Sequence, residues 1–289
     1  MTALATPTRL AVHRSRKLIP EFRLHRPRSA AEAVAMKAAA GPGAVLYMAG
    51  GIDVVNRMKS GLQVTDVIHL GAVAELDDIE EAEDGLQVGA LVTHDRLATS
   101  PLVKAQLPPL AQTWPEVANI RIRCKGTIGG NIMAGDPSYD FALTALAADA
   151  RLHFLISDGS TRIVSATQPR GATRDALLTT IILRSSRALR LVFDHSLRPA
   201  VTVALGLDMV AGRITRGRVA IGCAYAAPLT ASLPLAEALP PGELAHGAEQ
   251  LAQEVVTGLP TPLADHHATS GYRLRMIEVL LRRNLTAAA

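Results

Sequence analysis

Two Gly-Gly turns constrain this chain more than anything else in it: Met48-Ala49-Gly50-Gly51-Ile52-Asp53 and Thr127-Ile128-Gly129-Gly130-Asn131. β-Branched residues and polar side chains flank the glycines, which is not the pattern of packed core. Glycine lets the backbone approach a ligand closely and adopt positive φ. Exposed N–H groups in such a turn form an anion-binding concavity. A Gly-Gly pair is also an ordinary turn. Neither turn is the G-x-G-x-x-G fingerprint or the P-loop. Two of them in one chain suggest a diphosphate held from both sides.

The 289 residues suffice for two or three sub-domains with their own cores. Hydrophobic residues at 48% and charged residues at 19% fit an ordinary globular protein. Aromatics are only 3%, so packing on a flat ligand ring falls to few candidates or to aliphatic side chains. Net charge is a mild +4, with a basic cluster at the start: Arg9, His13, Arg14, Arg16 and Lys17. No aromatics interleave with it, so it reads as a solvated or partner-docking tail rather than a nucleic-acid arm. It lacks the apolar stretch of a signal peptide, and no apolar run in the chain is long enough to span a membrane. The two cysteines, Cys124 and Cys223, suggest no disulfide framework and cannot hold a four-cysteine iron–sulfur cluster. That low usage fits a cytoplasmic protein.

Ser29 with Glu32 forms a capping box that starts a helix running to Ala40, and Gly41-Pro42-Gly43 stops it. A strand over 44–48, the first Gly-Gly turn, a short helix capped by Asp53 and a strand over 64–70 make a β–turn–α–β unit. Its glycines lie at the strand's C-terminal end, where α/β layers place ligands. Two strand-like runs surround Glu83-Asp84-Gly85. Thr93 caps a short helix, and Ser100-Pro101 begins one reaching about Ala118. An irregular stretch from Asn119 to Asp136 carries the second turn, and a helix follows over 140–150. Strands are expected over 151–157, 160–166, 177–183, 189–193, 200–210 and 213–225, with a hairpin turn at Gly212. Helices are expected over 244–257 and 264–285. The last has a one-sided stripe of Tyr272, Met276, Ile277, Leu280 and Leu281, read as core. Arg275, Arg282 and Arg283 lie towards its end, where cations suit the dipole.

No H-E-x-x-H or G-x-S-x-G occurs. His266-His267 are adjacent and so point to different sides of a helix, which makes a poor metal pair. Cys124, between Arg123 and Lys125, is either an activated thiol or a packed loop residue. Asp140 is either a helix cap or an acceptor for a ligand hydroxyl.

The residues 46–53 followed by Arg57-Met58-Lys59 resemble the first FAD-binding stretch of the flavoprotein subunits of molybdenum hydroxylases, the xanthine dehydrogenase and carbon monoxide dehydrogenase family. Residues 122–131 with Asp136-Pro137 and Asp140 resemble the second stretch. Asp84 to Ala90 and Asp265 to Arg273 match further landmarks, in order, from about Phe22 to Leu285. Cys124 stands where the family usually has Asn, Ile52 where a polar residue is common, and His267 where Arg is frequent.

The resemblance implies an α+β chain. A basic extension over 1–18 precedes a PCMH-type FAD-binding domain over 19–186, built of two α/β sub-domains at about 19–75 and 76–186. A C-terminal α+β domain over 187–289 follows, with a three-stranded antiparallel sheet and helices. It implies FAD contacts from Met48, Ala49, Gly50, Gly51, Ile52 and Asp53, and from Thr127, Ile128, Gly129, Gly130 and Asn131. The two turns would hold the pyrophosphate by backbone N–H groups and the Thr127 hydroxyl. Asp140 would accept from an FAD hydroxyl, with Ile132, Met133 and Leu178 beside the flavin or adenine. No residue is implied as general acid or base. The implied role is electron transfer: a small partner subunit with two [2Fe–2S] clusters, a large molybdopterin subunit that hydroxylates the substrate, and an external acceptor. The alternative is a stand-alone FAD-dependent oxidoreductase of the same fold.

Overall fold

The computed structural model of the chain describes residues 19–40, 44–83, 85–167, 176–185, 188–196 and 200–289. The basic N-terminal cluster and Asp84 lie outside the described residues. The first layer holds strands β1 (Arg23–His25), β2 (Val45–Met48) and β3 (Asp66–His69) with helices α1 (Ala30–Ala39) and α2 (Ile52–Lys59). Its sheet is parallel, in the order β1-β3-β2. α1 begins as its capping residues require: Ser29 Oγ accepts from Glu32 N at 3.1 Å, and the Glu32 carboxylate accepts from Arg28 N at 2.7 Å. The start of α2 differs from expectation. Gly51, at φ 77°, is its cap, and Asp53 lies inside the first turn. Only glycine takes that left-handed conformation without strain.

A five-stranded antiparallel sheet follows, ordered β4-β5-β8-β6-β7. Its strands are β4 (Ile79–Ala82), β5 (Gly85–Gly89), β6 (Arg151–Leu155), β7 (Thr161–Ser165) and β8 (Leu177–Arg184). Six helices are inserted between β5 and β6: α3 (His94–Thr99), α4 (Pro101–Gln106), α5 (Pro108–Thr113), α6 (Ile120–Arg123), α7 (Ile128–Ala134) and α8 (Asp140–Ala148). The single helix expected from Pro101 to Ala118 is three pieces: α4, α5 and a 3₁₀ turn over Trp114–Glu116. Pro108 and Pro115 each lack the N–H that would continue it. The stretch expected to be irregular, 119–136, contains α6 and α7, so the second Gly-Gly pair lies within a helix's first turn. Trp114 is fully buried and meets Phe141 edge-on at 5.4 Å between ring centres.

The C-terminal part has strands β9 (Leu189–His195), β10 (Thr202–Val210), β11 (Arg213–Gly222) and β12 (Leu229–Ser232), ordered β12-β11-β10-β9 and antiparallel. Three long strands match the expectation, and β12 adds a short fourth at one edge. β10 and β11 are joined through Ala211 and Gly212, at φ 48° and 77°, as a two-residue primed turn requires. The helix expected over 244–257 is broken at Gly247 into α9 (Pro241–His246) and α10 (Ala248–Thr257). α11 (Ser270–Ala287) buries Ile277, Leu280, Leu281 and Leu285 against this sheet, while Tyr272 at the start of the stripe is exposed.

α8 joins the two larger sheets. Every residue from Phe141 to Ala148 is buried. Its C-terminal end lies against β10 so closely that a Cβ on Gly206 would sit 2.0 Å from the Ala147 carbonyl oxygen. Arg218 Nε donates to that oxygen at 3.1 Å, and Arg184 donates to the Ala148 oxygen at 3.1 Å. Both guanidiniums also bond Asp208, at 2.7 Å and 2.5 Å. Cations at the negative end of the dipole complete the last carbonyls. Arg218→Ala leaves Asp208 with Arg184 alone and the Ala147 carbonyl without its side-chain donor in a largely buried place. We expect a loss of about 3 kcal/mol in urea unfolding.

Candidate functional site

β2 runs into Gly50 and Gly51, and Gly51 turns the chain into α2. No side chain caps this helix. Val55 N bonds the Gly51 carbonyl at 3.1 Å, and among the described residues the N–H groups of Ile52, Asp53 and Val54 find no acceptor. These are the donors that every helix leaves free at its start, at the positive end of its dipole. They form a ready anion site. The second turn reaches them by direct backbone contact. A Cβ at Gly50 would lie 1.6 Å from the Lys125 carbonyl oxygen, so no other residue fits there.

The second turn works differently. Thr127 caps α7, its Oγ1 accepting from Gly130 N at 3.1 Å. Ile128 N bonds the Val92 oxygen at 2.8 Å and Gly129 N bonds the Ala90 oxygen at 2.9 Å. The N–H groups of residues 128–130 are therefore already committed. What this turn keeps open is the proton of the Thr127 hydroxyl. Its two glycines have separate reasons. A Cβ on Gly129 would collide with Ala90 at 2.6 Å, whereas Gly130 is exposed and meets only Thr127 Oγ1 at 2.9 Å. Thr93, the cap of α3, pairs with Thr127 in an antiparallel bridge, which sets the two helix starts side by side.

Asn131 ties this turn to the next helix. Its Oδ1 accepts from Ala142 N at 3.0 Å, doing for α8 the capping that Tyr139, the residue at the cap position, does not. Its Nδ2 lies 3.5 Å from His94 Nε2. Burial lowers the pKa of His94 to about 4, with the Arg123 charge adding to this, so the ring is neutral and its Nδ1 is buried without a partner. Asp140 is the first residue of α8, not its cap. Its carboxyl accepts no hydrogen bond among the described residues, and burial lifts its pKa to about 6, opposed by His195. Across the cleft the Tyr139 hydroxyl donates to Asp53 Oδ1 at 3.3 Å.

Of the aliphatic candidates, Ile132 and Leu178 are buried in the core, and Met133 is exposed on α7. Met48 and Ala49 are partly buried at the end of β2. Cys124 is an exposed free thiol, not a packed one. Cys223 is partly buried, which pushes its thiol up to about 11. His266 and His267 lie in the loop before α11 rather than on the expected helix, their rings tilted at 41° with centres 3.8 Å apart, and no three metal-ligating side chains gather among the described residues. His94, Tyr139 and the Lys125 carbonyl were not singled out in the sequence. Tyr139 was visible as a bulky ring in an otherwise small Asp-Pro-Ser run, but its partner Asp53 lies far away in the chain.

A carboxyl whose pKa is raised on folding favours the native state below its unfolded pKa. That advantage is lost as pH rises towards 6. Asp140→Asn should therefore stabilise the ligand-free chain at pH 7.5 by about 1–2 kcal/mol and leave it unchanged near pH 4, in paired urea titrations.

The comparisons agree with this geometry. The family model described as "FAD binding domain in molybdopterin dehydrogenase" matches residues 20–183. The carbon monoxide dehydrogenase medium chain of Hydrogenophaga pseudoflava is 36% identical over 47% of this chain and 47% of its own length. The alignment thus spans about half of that relative. The corresponding medium chain of Afipia carboxidovorans is 27% identical over 94% of this chain and 98% of its own. Among solved structures, carbon monoxide dehydrogenase from Hydrogenophaga pseudoflava superimposes with a TM-score of 0.81 over 94% of this chain and 98% of that one, at 24% identity, which shows a shared fold. The chain belongs to the family of FAD-binding domains of molybdopterin dehydrogenases, and it is an oxidoreductase component.

Proposed function

We propose that this chain is the FAD-carrying electron-transfer subunit of a molybdenum hydroxylase. The observation that carries the reading is the contact at Gly50. It packs the chain just before α2, whose three first N–H donors are free among the described residues, directly against the Lys125 backbone leading into the second turn, with no room for a Cβ between them. The residues fit the cofactor. Ile52, Asp53 and Val54 offer N–H groups to the diphosphate, and Thr127 offers its hydroxyl proton. Neutral donors at a helix start offset much of the diphosphate charge without a lysine-rich pocket. Asp140, without a hydrogen-bond donor among the described residues, is the acceptor for a hydroxyl of the cofactor's sugar or ribityl chain. Asn131 and Gly129 hold the α7 and α8 starts in place rather than touching the ligand through their side chains. Once bound, FAD supplies the redox chemistry, and the chain's task is to orient it and shield it from water.

The assembly is part of the proposal. A large molybdopterin subunit would hydroxylate the substrate. A small subunit would hold two [2Fe–2S] clusters, since two cysteines here cannot supply the four thiolates of even one four-cysteine cluster. An external acceptor would take the electrons. The domain division at about residue 186 is part of the same reading.

Absorption spectra and metal analysis of the chain alone and of its co-purified complex test this. Flavin bands on the isolated chain, with iron and molybdenum only in the complex, are the expected result. Substrate turnover by the isolated chain would favour a stand-alone flavoenzyme instead. Gly50→Ala should cost the chain its flavin, with FAD affinity down roughly a hundredfold by fluorescence titration, because the methyl group drives the two turns apart.

A further inference from the structure

Asp53 is in the wrong place for a diphosphate site. Its carboxylate belongs to the first turn of α2, beside three N–H groups without acceptors. An acidic side chain there ordinarily gains by turning back onto those donors. Here it makes no backbone bond among the described residues. One oxygen accepts from the Tyr139 hydroxyl at 3.3 Å, and the other lies 3.6 Å from the Arg57 guanidinium, one helical turn on. Tyr139 is itself well anchored. Its N–H bonds the Asp136 oxygen at 3.1 Å, and Ser138 fixes the Asp136 carboxylate through N and Oγ at 2.8 and 2.6 Å.

An ionised carboxylate and a diphosphate compete for the same donors with the same sign of charge. We propose that Tyr139 is a positioning residue for cofactor binding: it holds the Asp53 carboxylate away from the N–H groups of α2 and so leaves them open to the diphosphate of FAD. This inference rests on the FAD-site reading above. The phenol remains a donor across the neutral range, because burial first, and then the charges of Asp53 and Asp136, push its pKa up to about 12. Arg57 is a weaker tether, since it is half exposed and its pairing is within one helix. The link from the opposite wall is what keeps Asp53 out of the cradle.

The test uses the full chain stripped of FAD and titrated with FAD by flavin fluorescence. Circular dichroism and thermal melting serve as fold controls. Tyr139→Phe removes only the hydroxyl and should weaken FAD binding about tenfold. Asp53→Asn keeps the backbone N–H but removes the competing charge, and should bind FAD more tightly than the wild type. Tyr139→Phe made on top of Asp53→Asn should change nothing further, because the competing charge is gone. Unchanged affinity in Tyr139→Phe overturns the inference. So does an equal loss in the single and double variants, which would mark Tyr139 as a structural support. A wild-type chain that takes up no FAD would instead end the cofactor reading, and this inference with it.

Discussion

Helix α8 depends on the bonds that close its C-terminal end, and most of the molecule depends on α8. Two guanidiniums, Arg184 from the middle sheet and Arg218 from the C-terminal sheet, meet the last carbonyls of α8 and share Asp208 between them. The helix is buried from Phe141 to Ala148, so its position is set by contacts on every side. Fixing one end of so short a rod also fixes the other. That other end carries Asp140, Tyr139 and the Ala142 N–H that Asn131 caps. The clamp is thus remote from the cleft in sequence but decides where its far wall stands.

The near walls are made of backbone. At Gly50 the chain passes against Lys125 with no room for a side chain, and at Gly129 it passes against Ala90 in the same way. These two glycines serve packing between segments, while Gly51 serves a positive φ. The outcome is a division of labour. α2 keeps its first donors open, and α7 spends its own on the strand ends at Ala90 and Val92. The free donors therefore lie on one side of the contact only.

Local chemistry was legible in the sequence, and long-range pairing was not. The Ser29 and Thr93 caps, the strands from β2 to β11 and the buried stripe of α11 follow from caps, alternation and helical spacing read a few residues at a time. The breaks at Pro108 and Gly247 were written in the sequence too, but apolar runs across them suggested continuity. The helical state of 128–134 was masked by its glycines, because Gly129 is there for Ala90, a neighbour only in the fold. The same holds within the cleft. The two turns announced themselves, but the commitment of Ile128, Gly129 and Gly130 N–H groups to other acceptors depends on tertiary partners. So does the bond from Tyr139 to Asp53.

A site built this way tolerates drift in its side chains better than in its glycines. Ile52 replaces a residue more often polar in the family it resembles, yet what α2 offers at that position is a backbone N–H, which any residue but proline supplies. Cys124 is exposed on the outer side of the second turn, and the contact beside it is made by the Lys125 carbonyl rather than by a side chain. Side-chain identity matters where a charge must be placed or kept away. Asp140, whose pKa burial raises, and Asp53, which accepts from the Tyr139 hydroxyl of the opposite wall, are two such positions. One carboxyl has no hydrogen-bond donor among the described residues and the other accepts from a phenol across the cleft, and the sequence alone gives both the same letter.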